Sequence, residues 1–164
     1  MTKESSSTFI EKLEKIVINL IILIGMVMLV IALAHIFWRY VLNNALTWSE
    51  ELLKILLIWF AMLCTTIISK DSGHIGIVVF REMMPKKTQR FLLKMSRYMM
   101  LVVSTIVTGI GIYYVMRAMG QYTPSLGIPY SLAYAAIPVG FAIMAIYEAN
   151  HIKNKDFMDA NLKE

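Results

Sequence analysis

The sequence predicts an all-α integral membrane protein with four transmembrane helices and short interfacial cytoplasmic elements. Of its 164 residues, 58% are apolar and the mean hydropathy is +0.63, too high for a soluble domain of this size. Four apolar runs approach or exceed the roughly 20 residues that a helix needs to cross a hydrocarbon layer of about 30 Å. The net charge of +5 does not indicate a nucleic-acid partner, because the basic residues lie mainly beside these runs.

The first apolar run is interpreted as a span, although Ala32-Leu-Ala34 resembles the cleavage site of a secretory signal. The run before that site is at the upper length limit for a signal, and aromatic sequence anchored by an arginine follows it. We expect a single domain over residues 1–164. Its spans are predicted at about 16–38, 51–69, 91–119 and 130–147, with cytoplasmic tails at 1–15 and 150–164.

Smaller features refine the prediction for each element. Residues 5–7 are serines and favour a mobile start. The third helix is expected to begin just after Pro85, a good first-turn residue, and Pro138 is expected to kink the fourth span. Between spans two and three, residues 74–80 are too few to cross and, with Met83 and Met84, indicate an apolar element in the cytoplasmic interface.

The basic residues predict the orientation of the chain. Thirteen of the sixteen lie in the two tails, between spans two and three or at the start of the third helix, whereas three lie on the other side of the membrane. The positive-inside rule therefore places both termini in the cytoplasm. The three exceptions are Arg39, Lys54 and Arg117.

The stretch from Arg39 to Glu51 brings acidic and basic residues close to two spans. Thr47 and Glu50 have the spacing of a capping box, which predicts that the next helix begins at Trp48 or Ser49. We hypothesise that Arg39 pairs with Glu50 or Glu51, and that Glu50 supports Lys54 one turn on. Two interpretations stay open: a well-capped turn at the membrane surface, or a docking surface.

The residues that carry chemistry are few. His35, His74 and His151 lie neither at i, i+4 spacing nor at matched depth, which disfavours a haem or metal site. His35 is better interpreted as an interfacial or interhelical hydrogen-bond donor, and Cys64, the only cysteine, as a packing residue. No acidic residue lies deep in a predicted span, as a self-sufficient ion-coupled carrier commonly requires. We therefore predict no catalytic residues, metal or cofactor.

Other residues predict contacts with lipid or protein. A basic stripe with three- and four-residue spacing is interpreted as a solvated anchor, or alternatively as a lipid headgroup site: Lys87, Arg90, Lys94 and Arg97. Small residues at helical spacing predict close helix packing: Ser104, Thr108 and Gly111; Ala61 and Thr65; Ala136 and Gly140. Trp59 is expected to turn its indole N–H towards protein rather than lipid.

Several short motifs, in order along the chain, resemble the DctQ-like small membrane subunit of tripartite ATP-independent periplasmic (TRAP) transporters. They are Phe37-Trp-Arg-Tyr-Val-Leu-Asn43, Trp48-Ser-Glu-Glu51, Trp59, Gly73-His-Ile75, Leu126-Gly-Ile-Pro129 and Ile137-Pro-Val-Gly140. Each is weak alone, but their order and spacing are fairly specific. The resemblance covers the whole chain.

The resemblance implies a scaffold subunit in the bacterial inner membrane. Its partners would be a large elevator-type permease subunit and a periplasmic substrate-binding protein, in sodium-driven uptake of a C4-dicarboxylate, sialic acid or other sugar acid. Candidate docking residues for the binding protein are Arg39, Asn43, Asn44, Gln121 and Tyr122. Candidate subunit-interface residues are Trp38, Trp48 and Trp59.

A different class of protein stays open as the alternative. The chain would then be a free-standing four-helix membrane protein, either an oligomeric carrier or the anchor of a membrane enzyme. The absence of a carboxylate deep in the predicted spans counts against the carrier.

Overall fold

The computed structural model of this chain describes residues 2–44, 46–71 and 86–153. The predicted interfacial element at residues 74–80, with Met83 and Met84, lies outside the described residues. The helices are α1 (Thr2–Val41), α2 (Thr47–Asp71), α3 (Lys86–Arg117), a 3₁₀ turn (Ala118–Gly120), α4 (Tyr130–Tyr134) and α5 (Ala136–Lys153).

The predicted fold class is confirmed, because four helical stretches are long and apolar enough to cross a membrane. Most of the first and last residues of these stretches differ by a few residues from the predicted ones. The first stretch begins earlier, and the last continues five residues beyond the predicted end at Tyr147. The four stretches are Ile10–Val41, Thr47–Ser69, Met95–Gly120 and Tyr130–Ile152, the last formed by α4 and α5 together.

The start of the chain is helical rather than irregular. The three serines at 5–7 lie within α1, which runs without a break from Thr2 to Val41. Serine has only a moderate helix penalty, and extending an existing helix costs far less free energy than nucleating one. A long apolar helix therefore continues through the polar start, and mobility of this start stays a prediction.

Helix α2 lies between α1 and α5, and α3 packs against the other side of α5. The most extensive helix pair is α3 with α5. Val17 of α1, Ile55 and Leu63 of α2, and Met144 and Tyr147 of α5 are buried apolar side chains. The last span thus packs against both α2 and α3 and connects these helices in the bundle.

Close contact of α5 with its neighbours depends on glycine. A Cβ built on Gly111 of α3 would lie 3.0 Å from Cδ of Pro138, and one built on Gly140 of α5 would lie 2.9 Å from Cε of Met62. Ser104 and Ala136 are buried as well. These positions bear out the packing predicted for α3 and the last span.

The pair Ala61 and Thr65 does not pack in this way. Both residues are exposed on α2, and the Thr65 hydroxyl donates to the Ala61 carbonyl at 2.7 Å within the same helix. A hydroxyl that is bonded to its own helix can face an apolar environment. These two residues therefore lie on a face of α2 that the other helices of this chain leave exposed, and packing through them stays a prediction.

The last span is interrupted at Ala135, between α4 and α5, where the backbone stays in the right-handed helical region; a change of helix direction at Pro138 stays a prediction. Proline has no N–H for the carbonyl four residues earlier, which here is that of Tyr134. Helical bonding resumes where the amide of Val139 donates to the carbonyl of Ala135 at 3.2 Å.

Candidate functional site at the loop end

We call the end of the bundle that carries residues 42–46 and 118–129 the loop end, and the opposite end the terminal end. At the loop end, Glu51 in the second turn of α2 binds the connection formed by residues 118–129. Its Oε1 accepts from the amide of Ser125 at 3.0 Å, and its Oε2 accepts from the amide of Leu126 at 3.0 Å. A carboxylate bound to backbone amides forms charge-assisted bonds, so Glu51 fixes the position of the loop relative to α2.

The loop that Glu51 binds is also held by its own hydrogen bonds. The Thr123 amide donates to the Ile128 carbonyl at 2.9 Å, and the Tyr130 amide donates to the Gln121 carbonyl at 2.9 Å. The Thr123 hydroxyl accepts from the Ile128 amide at 3.1 Å. Gly127 has a φ of 65°, which favours glycine. The loop is therefore folded in a way that presents two neighbouring amides to Glu51.

His35 of α1 and Ser49 of α2 form a second contact at this end. The Ser49 hydroxyl donates to the Leu46 carbonyl at 2.7 Å, so the 2.7 Å contact between His35 Nδ1 and Ser49 Oγ requires the ring N–H to donate. The Nε2 atom of His35 lies 3.7 Å from Oε1 of Glu50. His35 is thus an interhelical donor, as its position in the sequence predicted.

The beginning of α2 differs from the prediction. The helix begins at Thr47 itself rather than at Trp48 or Ser49. The hydroxyl bonded at this start is that of the buried Ser49, which donates to Leu46. Thr47 is exposed. The Ser49 side chain is hydrogen-bonded to both the Leu46 carbonyl and the His35 ring. These two bonds favour Ser49 over the exposed Thr47 as the hydroxyl that stabilises the start of α2.

The predicted ion pairs at this end are replaced by other contacts. Within residues 2–44 and 46–71, Arg39 forms no ion pair with Glu50 or Glu51, and Glu50 forms none with Lys54. Glu50 instead lies beside His35, and Glu51 binds the loop. Arg39 and Lys54 are exposed, where an ion pair contributes little because water screens it. The backbone amides of the loop bind Glu51 without the loss of side-chain conformational freedom that an ion pair with Arg39 would require.

The three tryptophans separate into two kinds. The Trp59 indole N–H donates to the Leu132 carbonyl of α4 at 3.0 Å, which confirms that it faces protein. This contact lies within the chain and joins α2 to the segment before the break. Trp38 and Trp48 are exposed and so are available at the surface.

The candidate docking residues lie at the loop end and are all exposed: Arg39, Asn43, Asn44, Gln121 and Tyr122. Asn43 has a φ of 49°, a left-handed conformation that asparagine tolerates better than most residues. The amide of Asn44 donates to the Trp38 carbonyl at 3.3 Å. The candidate docking residues therefore lie in the last turn of α1 and in connections with a defined backbone.

At the terminal end, one ion pair was missed by the sequence reasoning. Nη1 of Arg97 lies 2.9 Å from Oε2 of Glu148, and the two side chains are 13% and 3% exposed. Arg97 was assigned to the basic stripe, and Glu148 was placed just beyond the predicted end of the last span. The sequence feature that could have predicted this ion pair is Glu148, a carboxylate directly after the predicted last span, together with the basic stripe on the third helix.

The assignment of Arg97 to a lipid headgroup site is corrected by this ion pair, because its guanidinium binds Glu148 inside the bundle. The side chains of Lys87, Arg90 and Lys94 lie outside those that the structure describes. The described residues contain no group of three or more His, Cys, Asp or Glu side chains that could hold a metal ion.

The four long apolar helical stretches define a multi-pass helical membrane protein, and the polar side chains described above bond mainly to its own helices and loops. The sequence matches the family described as "Tripartite ATP-independent periplasmic transporters, DctQ component" over residues 28–156, which is most of the chain. The chain therefore belongs to the DctQ family, whose members are components of tripartite ATP-independent periplasmic transporters.

Relatives of this chain carry related descriptions. It is 27% identical over 149 residues to the sialic acid TRAP transporter small permease protein SiaQ of Vibrio cholerae serotype O1, covering 88% of this chain and 86% of that protein. It is 27% identical over 158 residues to the ectoine TRAP transporter small permease protein TeaB of Halomonas elongata, covering 94% and 80%.

A third relative is much longer. The sialic acid TRAP transporter permease protein SiaT of Haemophilus influenzae is 28% identical over 117 residues. The match covers 71% of this chain but only 19% of that protein. A segment similar to this chain is thus a small part of a longer permease.

Proposed function

We propose that this chain is the small, non-catalytic scaffold subunit of a TRAP-type secondary transporter, and that it packs beside a large elevator-type permease subunit. The observation that carries this proposal is the first span. Its most apolar stretch has a mean hydropathy of 3.1, yet only 6% of it is buried inside the chain. Such a helix has a large lateral surface for a second membrane protein.

The longer relative supports the choice of partner. Because SiaT holds a DctQ-like segment within one long permease chain, we infer that a separate small subunit occupies a corresponding place beside a separate large one. The lateral contact is proposed along spans one and two, mostly through apolar side chains, including the exposed Trp38 and Trp48.

The loop end is proposed to face the periplasm, with both termini in the cytoplasm of a bacterium and the spans in its inner membrane. The excess of basic residues at the terminal end supports this orientation. The loop end then belongs to the platform where the periplasmic binding protein docks. The bonds from Glu51 to Ser125 and Leu126 support this role, because they hold the exposed loop in a fixed position relative to α2.

The transported compound is proposed to be an organic acid, taken up with sodium. The relatives' descriptions name sialic acid in one case and ectoine in another, so membership of this family does not specify one substrate. The predicted spans of this chain hold no acidic residue deep in the membrane. We therefore assign the substrate and sodium sites to the large subunit.

The proposal is tested by sodium-driven uptake into liposomes that contain the large subunit and the binding protein, with and without this chain. We expect uptake only when all three components are present. Full uptake without this chain, or uptake by this chain alone, contradicts the scaffold role.

Docking at the loop end is tested by reversing an exposed charge. Arg39→Glu changes a side chain that forms no ion pair with Glu50 or Glu51, so the bundle stays intact. We expect weaker binding-protein docking and slower uptake, with this chain still bound to the large subunit. Lys15→Glu is the matched control, because Lys15 is exposed near the terminal end. Equal docking by both variants argues against a platform at the loop end.

A further inference from the structure

A groove of about 610 Å³ lies between α3 and the broken last span, near the loop end. One wall is formed by side chains at three- and four-residue spacing along a single face of α3, and the other by residues on either side of the break at Ala135. The groove is lined by Val107, Ile110, Gly111, Tyr114, Arg117, Ala118, Gln121, Tyr134 and Ile137.

The break in the last span shapes this groove. Tyr134 ends α4, and Ile137 lies one residue before Pro138 in the first turn of α5. At the floor, Gly111 allows the Pro138 ring to approach α3 closely. The groove is therefore a feature of how α3 meets the interrupted span, and it lies away from Glu51 and its loop contacts.

The groove changes from apolar to cationic along its length. Val107 and Ile110 lie at the inner part, whereas Arg117 and Gln121 lie at the loop end. Arg117 is exposed, its guanidinium carbon lies 5.7 Å from the centre of the Tyr113 ring, and it forms no ion pair with the side chains that the structure describes. The mouth of the groove thus carries one positive charge that is not neutralised by a described carboxylate.

The length of this gradient matches one leaflet of a bilayer. Val107 and Arg117 are ten residues apart on a continuous helix, which corresponds to about 15 Å at helical rise. Half of a hydrocarbon layer of roughly 30 Å is also about 15 Å. An amphiphile whose charged group lies at Arg117 would therefore have its apolar part alongside Val107 at the depth where an acyl chain ends.

We propose that this groove binds an anionic phospholipid of the loop-end leaflet, with one acyl chain along Val107 and Ile110 and the headgroup phosphate at Arg117. Arginine matches a phosphate by donating parallel hydrogen bonds to two of its oxygens. Tyr114 and Tyr134 place amphipathic rings at the headgroup level, as is common at membrane interfaces. This inference does not rest on the scaffold role.

The test measures phospholipid retention by the full chain, purified in detergent and incubated with phosphatidylglycerol or phosphatidylcholine, using native mass spectrometry. We expect the wild-type chain to retain one phosphatidylglycerol in preference to phosphatidylcholine. Arg117→Gln is expected to weaken phosphatidylglycerol retention at least about tenfold, which corresponds to roughly 1.4 kcal/mol. Arg39→Gln, an exposed arginine at the loop end but outside the groove, is expected to leave retention unchanged.

A second pair of variants tests the apolar part of the groove. Ile110→Trp fills it, whereas Ile112→Trp places the same ring on another face of α3; the two isoleucines are 53% and 50% exposed. We expect Ile110→Trp alone to abolish retention. Equal retention by wild type and Arg117→Gln overturns the proposal, as does displacement of the lipid by inorganic phosphate alone.

The competing occupant is a helix of a partner protein. Ile110→p-benzoylphenylalanine, cross-linked by light in the assembled membrane complex, distinguishes the two. A cross-link to phospholipid supports the proposal. A cross-link to another polypeptide overturns it, whether or not that polypeptide is the large transporter subunit.

Discussion

The first and last spans differ in apolarity and in burial, and they differ in opposite directions. The first has a mean hydropathy of 3.1 and is 6% buried, whereas the last has a mean hydropathy of 1.6 and is 39% buried. In a soluble protein the more apolar helix would be the more buried one. In a membrane the lipid is itself apolar, so apolarity alone does not bring helices together.

Small residues and paired polar groups explain the burial of the last span. Gly140 contacts Met62, Pro138 fits over Gly111, and Glu148 binds Arg97. In α1, Gly25 is close to Phe60 of α2, but most of its large apolar side chains are exposed. The two spans therefore have different tasks: the last one holds this chain together, and the first one faces lipid or a partner.

The largest expected effect comes from breaking the ion pair of the last span. Glu148→Gln leaves Arg97 with its charge in a site where its side chain is 13% exposed. Removing one partner of a buried ion pair typically costs roughly 3–5 kcal/mol, because the remaining charge loses an opposite charge that lay beside it in the interior. The measurement is the free energy of unfolding of the purified chain in mixed micelles.

Two further variants make this measurement specific. The double variant Arg97→Met with Glu148→Met is expected to recover most of the loss, because apolar side chains of similar size replace the pair without a buried charge. Arg39→Gln, at an exposed arginine, should change stability by less than about 0.5 kcal/mol. A double variant that is no more stable than Glu148→Gln would show that Arg97 and Glu148 do not stabilise the bundle as a pair.

A smaller effect is expected where α3 meets the last span. Gly111→Ala places a Cβ 3.0 Å from Cδ of Pro138, whereas Gly109→Ala on the same helix meets nothing within 4 Å. Overpacking of this kind typically costs about 1–3 kcal/mol, while alanine in place of an uncrowded helical glycine is neutral or favourable. Thermal unfolding of the two variants should therefore shift in different directions. Equal shifts would mean that Pro138 moves aside freely.

The sequence predicted the parts of this fold that depend on local patterns. Runs of apolar residues located the spans, and single polar groups beside them located the contacts of His35 and Trp59. Glu51 bonds to Ser125 and Leu126, which lie 74 and 75 positions later in the chain. Arg97 and Glu148, which form an ion pair, are 51 positions apart. Such contacts depend on how helices align, which neither periodicity nor spacing specifies.

The same limit explains the wrong choice of partner for Glu51. Arg39 is close to it in sequence, and opposite charges made the pair attractive. In the structure, the loop before α4 reaches Glu51 with two amides that are already oriented by bonds within that loop. Ordered backbone donors lose less conformational freedom on binding than a long exposed arginine does.

The smallest expected effect on stability is that of shortening an exposed side chain of the first span in the isolated chain. This change tests the difference between the first and last spans most directly. Val30 of α1 is 66% exposed and Met144 of α5 is 2% exposed. Met144→Ala should cost roughly 2–5 kcal/mol, whereas Val30→Ala should change stability by less than about 0.5 kcal/mol. The free energy of unfolding of each purified variant checks this difference. A loss above about 1 kcal/mol for Val30→Ala would show that α1 is held by contacts within the chain. A negligible loss leaves the exposed face of α1 free to contact lipid or a partner, which is the role that its high hydropathy and low burial favour.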